Sequence, residues 1–288
     1  MAISEPRILV VGCGALGSRI ASDLAQDSRV FGLKRNIRTL PANIEPVKAD
    51  LQDPTSMHGK LPANLDAVVY CLTPNSYDDE GYRAAFVTGL GHLIDALETD
   101  GHSLNRLLFV SSTGVYHQDD DSWVDEDSPT EPDRFSGQRV LEGEHLALNS
   151  AYPATVIRYS GIYGPSRGRF LQSVMEGRID PASPGPYTNR IHEEDAAAAA
   201  AHLVRYSLAG NPMHDRYLAS DSTPVRLDEI VAWIREQVPC AEPGEEARGG
   251  TRAGSKRCLN QRLRDSGFDF RYPGFREGYG ELIKALER

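Results

Sequence analysis

Cysteine is scarce in this chain: four thiols (Cys13, Cys71, Cys240, Cys258) are scattered over 288 residues with no C-x-x-C pair. That spacing argues against a disulfide framework and a cysteine zinc site, and it fits reduced thiols in the cytosol. The eight histidines carry no H-E-x-x-H or comparable spacing, so no metal is expected. No G-x-S-x-G elbow occurs, which leaves a serine hydrolase without support. Basic charge is short as well. The formal net charge is −10, whereas a nucleic-acid partner needs a basic face to meet phosphate. No apolar run approaches the roughly 20 residues that cross a bilayer, and the first residues run into a strand pattern without a signal-peptide core. The expectation is a cytoplasmic protein with no nucleic-acid and no membrane partner.

Two local absences matter more. The only lysines are Lys34, Lys48, Lys60, Lys256 and Lys284, so none falls between residues 61 and 255. Between Ser28 and Ile44 there is neither Asp nor Glu. Acids are concentrated elsewhere: residues 117–133 hold eight and no Lys or Arg, which reads as a solvated loop, with a rim or lid over a site as the alternative.

What is present is an alternation of short apolar runs with helical stripes. Residues 7–11, 30–33, 44–47, 66–71, 107–110 and 154–157 read as strands. Residues 15–26, with Leu16, Ile20 and Leu24 four apart, and residues 82–98 read as helices. Near-continuous apolar strands separated by helices imply a parallel sheet covered on both faces, and right-handed crossovers make it a Rossmann-type, doubly wound α/β fold. After Ile157 the rhythm breaks into a Gly/Pro/Arg-rich stretch, an Ala-rich helix over 193–208 and a Gly/Glu/Arg segment over 242–255 that reads as a mobile loop. Residues 1–160 are expected to form the nucleotide-binding core, and 161–288 a mixed segment that completes the sheet and forms a small C-terminal substrate lobe.

The first strand ends in Gly12-Cys13-Gly14-Ala15-Leu16-Gly17 and a helix follows. In that context Gly12 permits the tight turn, Gly14 lets backbone approach a pyrophosphate, and Gly17 lets the helix pack on the strand. The free N–H groups of the helix start then face phosphate. Sites for NAD usually place an acid at the end of the second strand to bind the ribose 2′-OH. Here that strand ends Leu33-Lys34-Arg35, with Arg38 close behind. A basic pair suits a 2′-phosphate, so NADP(H) is favoured over NAD(H). Cys13 reads as a small residue tolerated in the turn rather than a redox switch.

The chain resembles the extended or atypical short-chain dehydrogenase/reductases, the group of NAD(P)-dependent epimerases and dehydratases. The likeness rests on Lys48-Ala49-Asp50-Leu51, Tyr82-Arg83 with Gly89, and the run Phe109-Val-Ser-Ser-Thr-Gly-Val-Tyr116. It continues through Arg158-Tyr-Ser-Gly-Ile-Tyr-Gly-Pro165, Arg190-Ile-His192 with Asp195, and the Gly-Phe and Tyr-Pro elements of the tail. The resemblance implies that Asp50 and Leu51 contact adenine and that Cys71, Leu72 and Thr73 line the cofactor. It places Tyr159 and Ser160 near the nicotinamide and makes Ser112 the catalytic Ser/Thr. It also implies a possible homodimer through helices that would include residues 82–98 and 135–149.

The family's chemistry rests on a Tyr with Lys four residues later, the ammonium lowering the phenol pKa. None of the twelve tyrosines has that lysine. Aligning Glu144 on the family's helix puts Ser136 and Val140 at the two positions, which is closest to the branch of sugar-nucleotide epimerases lacking the Tyr. Tyr116 and Tyr163, just beyond the fifth and sixth strands, are the replacement acid/base candidates, with packing aromatics as the competing reading of each. Arg167, Arg169 and Arg190 could clamp a substrate pyrophosphate. His192 and Asp195, at the start of the Ala-rich helix, read as structural. The expected function is NADP(H)-dependent epimerase- or reductase-type chemistry on a small molecule, a nucleotide-sugar or similar polar carbonyl or alcohol. A non-catalytic NADP(H)-binding redox-sensing regulator is the alternative.

Overall fold

The protein is described by a computed structural model over residues 5–249 and 254–286. Residues 250–253, part of the segment read above as a mobile loop, lie outside the described residues.

Arg7–Val11 (β1) is a five-residue apolar run whose Ile8, Leu9, Val10 and Val11 are fully buried, as a strand covered on both faces must be. It joins Arg29–Lys34 (β2), Glu45–Lys48 (β3), Ala67–Tyr70 (β4), Arg106–Ser112 (β5), Ala154–Tyr159 (β6) and Arg216–Ala219 (β7). Together they form one seven-stranded parallel sheet in the order β7-β6-β5-β4-β1-β2-β3. Ile8 of β1 stands in register with Val30 of β2 on one side and Ala67 of β4 on the other. The strand order therefore reverses between β1 and β4, the place where crossovers diverge and leave a crevice at the strand C-termini. The expected Rossmann-type fold is the observed one.

Helix Ala15–Leu24 (α1) follows β1 and buries Leu16, Ile20 and Leu24, the stripe that its spacing predicts. The long helix expected over 82–98 is interrupted. Asp79–Arg83 (α2) and Gly89–Thr99 (α3) are joined by a π-helical turn at Ala84–Thr88. Long-range side chains take the carbonyls of that turn: the Tyr70 hydroxyl donates to Ala85 O at 2.5 Å and the Gln52 amide to Ala84 O at 2.8 Å. Gly89 admits the arrangement, because a Cβ there would stand 3.0 Å from both Ala84 O and Tyr70 Oη. Helical spacing does not encode such a bulge, because its partners lie 15 and 32 residues away.

By internal contacts the chain forms two units. The first comprises Met1–Val115, Thr130–Arg158 and Ala197–Tyr217. Inside it, Phe135–Leu148 (α4) is tied to β6 by a buried ion pair, Arg158 Nη2 to Glu144 Oε2 at 2.7 Å, and Ser111 donates to the same carboxylate. Glu144, the residue on which the family's helix was aligned, is thus a structural anchor.

The second unit comprises Tyr116–Pro129, Tyr159–Ala196 and Leu218–Arg288. It is built on three short pairings: Gly161–Tyr163 with Arg190–His192, Tyr187–Thr188 with Val225–Arg226, and Ser122–Val124 with Lys256–Cys258. Tyr163, Val174, Ile230, Ile234, Phe275 and Tyr279 share one apolar core. The acid-rich segment is not simply the solvated loop expected. Val124 is buried, and Arg257 covers the Trp123 ring. Asp121 is paired with Arg226, and buried Glu126 accepts the Leu218 N–H at 2.7 Å. Four of its acids, Asp119, Asp121, Glu126 and Asp127, are held by specific partners that the sequence places about 90 to 140 residues away. The described part of the 242–255 segment is likewise bonded, with Gly244 N donating to Gly177 O and Arg248 N to Arg178 O.

Candidate cofactor-binding site

The turn after β1 is shaped by glycine at two positions. Gly12 has φ +91°, and a Cβ there would lie 2.3 Å from Cys71 O. Gly17 could not carry one either, since it would stand 2.2 Å from Gly12 O. Gly14 is different: its φ of −78° suits any residue, and its Cβ direction meets no atom within 4 Å. That open direction belongs to a residue lining a cavity of about 510 Å³ at the C-terminal ends of β1, β2 and β4. Gly14 is also the N-cap of α1, with no side-chain cap and no acid in the first turn, so the first N–H groups of the helix meet no carboxylate of their own. Bare backbone, a free helix start and space where a Cβ would be are what a pyrophosphate requires.

The cavity brings together Gly12, Gly14, Lys34, Arg35, Asp50, Leu51, Cys71, Leu72 and Thr73 from the residues singled out in the sequence. Ala15, Leu16 and Gly17 continue into α1 instead; Leu16 is buried and Gly17 packs on the turn. The two basic residues have distinct settings. Lys34 donates to Cys13 O at 2.7 Å and so braces the turn, while Arg35 reaches the Asn75 side chain at 2.7 Å. Burial pushes the Cys13 thiol up to about 11, against the opposing effect of Lys34, which keeps it protonated and unreactive near neutrality. Asp50 accepts from Gln52 N and Asp53 N, a tight turn that presents Leu51 to the cavity.

Ser112 ends β5 in the same unit, exposed, with its Oγ accepting the Gly114 N–H at 3.0 Å. Helix α4 packs close by: a Cβ on Gly137 would be 2.5 Å from Gly114 O. Val140, which the alignment on Glu144 would put at the family's lysine position, is buried, and Ser136 stands one turn before it.

The remaining residues fall in the second unit. Tyr116 is buried and donates to Asp125 O at 2.6 Å; Tyr159 donates to Ala196 O at 2.6 Å. Ser160 is buried with its hydroxyl toward Ala219 O. Tyr163 stacks on Tyr279 at 4.5 Å, and burial pushes its phenol pKa up, away from working pH. That shift is opposite to the one a general base needs. Arg190 is buried against the Phe170 ring and hydrogen-bonded to Thr188, a packing role, whereas Arg167 is exposed. His192 caps its helix, its Nδ1 accepting the Glu194 N–H, and Asp195 accepts from Arg271 N and Tyr272 N. Burial lowers the His192 pKa and raises that of Asp195.

Asn36, Gln52, Asn75, Ser76, Glu80 and Gly81 also line the cavity and were not singled out from the sequence. The signal available was position alone: Asn36, Gln52, Asn75 and Ser76 follow strand C-termini on the side where this fold binds ligands, and Glu80 and Gly81 lie in the short helix α2 that follows β4. Among the described residues, no group of three or more His, Cys, Asp or Glu could hold a metal, and no helix is long and apolar enough to cross a membrane.

Residues 8–186 match the model of the NAD dependent epimerase/dehydratase family. A solved Methylobacillus flagellatus protein, named as a candidate NAD-dependent epimerase/dehydratase, is 34% identical with TM-score 0.83, covering 99% of this chain and 100% of its own. The 3-diazoavenalumate denitrifying reductase of a Streptomyces species is 26% identical over 226 residues, 71% of this chain and 74% of that protein. The fold is shared with UDP-glucose 4-epimerase of Thermus thermophilus in complex with NAD, at 19% identity and TM-score 0.75 over 98% of this chain and 99% of that one. The chain belongs to the NAD dependent epimerase/dehydratase family.

Proposed function

We propose that the protein is an NADP(H)-dependent epimerase- or reductase-type enzyme acting on a nucleotide-sugar or a similar polar carbonyl or alcohol. The observation that carries the cofactor reading is the conjunction at the cavity of Gly14's open face with Lys34 and Arg35, on a strand end that has no acid. The bound dinucleotide supplies redox chemistry at its nicotinamide carbon. The chain's own part is to hold the pyrophosphate on the turn and the α1 N-terminus, and to offer cations to a 2′-phosphate. It also presents the Ser112 hydroxyl, which can donate to a substrate carbonyl oxygen because its Oγ already accepts from Gly114 N.

The substrate range is supported by relatives: one solved neighbour is a UDP-glucose 4-epimerase and one similar protein is a reductase. Titrating the protein with NADPH and NADH, then assaying a panel of nucleotide-sugars with stoichiometric dinucleotide, tests both halves. Tighter binding of NADPH and turnover of one panel member are expected; a clear preference for NADH would overturn the cofactor reading.

The buried Val140 at the lysine position favours a second reading, a dinucleotide-binding regulator without turnover. Saturable NADPH binding that changes affinity for a partner, with no turnover on any panel member, would select it.

A further inference from the structure

Arg35 and Asn75 are 40 residues apart and joined by a side-chain hydrogen bond of 2.7 Å from Nη2 to Oδ1. The sheet order makes that bond informative. Arg35 follows β2 and Asn75 follows β4, and these strands flank β1 on opposite sides. Two strand spacings, roughly 10 Å, separate them. The side chains can meet only by spanning the end of β1, where the glycine turn lies, and both line its cavity.

The turn beneath does not need this bond. It is fixed from the β2 side by Gly12 N to Leu33 O and by Lys34 Nζ to Cys13 O, and β4 is fixed to β1 by Cys71 N to Val11 O. The guanidinium, moreover, has no carboxylate partner among the described residues, and an amide oxygen leaves its charge unneutralised. Such a group holds position while keeping its attraction for phosphate.

We propose that Arg35 and Asn75 form a clasp across the glycine turn that closes over a bound dinucleotide and sets how fast it leaves. The proposal rests on the reading of this cavity as the dinucleotide site. Arg35 then has two roles, recognition of the 2′-phosphate and closure, whereas Asn75 serves closure alone.

The test is displacement of NADPH and of NADH from the full-length protein in a stopped-flow fluorimeter, with melting temperatures alongside. Asn75→Ala is expected to release both dinucleotides about tenfold faster, equivalent to ~1.4 kcal/mol, with the NADPH-over-NADH preference and melting temperature unchanged. Arg35→Lys keeps the charge but loses the planar fork, so it should release as fast as Asn75→Ala while retaining much of the preference. Arg35→Ala should lose the preference too, and the double variant should release no faster than Arg35→Ala. Release from Asn75→Ala within twofold of wild type, or strictly additive effects in the double variant, overturns the clasp alone. Absence of binding of either dinucleotide to wild type overturns both the clasp and the cavity reading.

Discussion

Replacing Gly14 by alanine separates binding from folding. Its φ of −78° is one that alanine adopts freely, and the new Cβ would meet no atom within 4 Å. Folding therefore has nothing to lose. Restricting the unfolded chain should even add about 0.4–1 kcal/mol of stability, or roughly 1–4 °C in melting temperature for a chain of this class. The methyl group would, however, stand in the cavity at the α1 N-terminus. A pyrophosphate forced outward by one methyl loses contact with the helix N–H groups, a strain of about 1–3 kcal/mol, or roughly 5- to 150-fold in affinity. Gly17→Ala is the control with the opposite signature: its Cβ would lie 2.2 Å from Gly12 O, so backbone must move and stability must fall. Thermal unfolding of ligand-free protein, paired with NADPH titration by fluorescence, reads both quantities. If Gly14→Ala bound NADPH as tightly as wild type, or melted as early as Gly17→Ala, the assignment of this turn to the pyrophosphate would be wrong.

Other outcomes follow from the same geometry. Glu144→Ala leaves the fully buried Arg158 without its carboxylate and should cost about 3–5 kcal/mol in urea unfolding, much of it restored by an apolar Glu144→Met/Arg158→Leu pair. Tyr163→Phe should keep turnover within about twofold, because the hydroxyl makes only a 3.5 Å contact to Gly274 O, while Ser112→Ala should lower kcat by on the order of a hundredfold with little change in NADPH affinity. Burial pushes Asp221 up to about 8, so the folded chain holds a proton there that the unfolded chain releases near pH 4. Stability should accordingly fall as pH rises from about 5 to 8. Asp221→Asn should flatten that decline in urea titrations at several pH values; an equally steep slope in the variant would rule Asp221 out as its source.

Six of the seven strands were legible because they depend on local patterns, whereas the short seventh, Arg216–Ala219, was not read from the sequence. Ile8 to Val11 form an unbroken apolar run that ends at Gly12 and is buried on both faces, and Leu16, Ile20 and Leu24, four apart, share one helix face. The glycine turn was legible for the same reason, since Gly12, Gly14 and Gly17 fall within six residues. What was hidden depends on distant partners. The π-helical turn exists because Gln52 and Tyr70 reach its carbonyls, and Glu126 is buried because Leu218 N–H faces it. Asn75 could not be named from sequence because its relevance comes from strand order, not from its neighbours.

The sequence carries the glycine turn without a Tyr that has Lys four residues later, and α4 shows what surrounds the position where the alignment on Glu144 would put that lysine. On that alignment the lysine would sit at residue 140, where Val140 is buried in the helix that Glu144 ties to β6. An ammonium there would be desolvated with no carboxylate to spare, because both oxygens of Glu144 are already engaged by Arg158 and one also by Ser111. On that alignment, a phenol at residue 136 without a cation beside it would keep a pKa near 10, too high to serve as a general base near neutrality. Among the residues singled out as catalytic candidates, Ser112 alone is exposed at a strand C-terminus with its oxygen set to donate. Any turnover is therefore expected to depend on this hydroxyl polarising the substrate, read as the loss of kcat in Ser112→Ala with dinucleotide affinity retained.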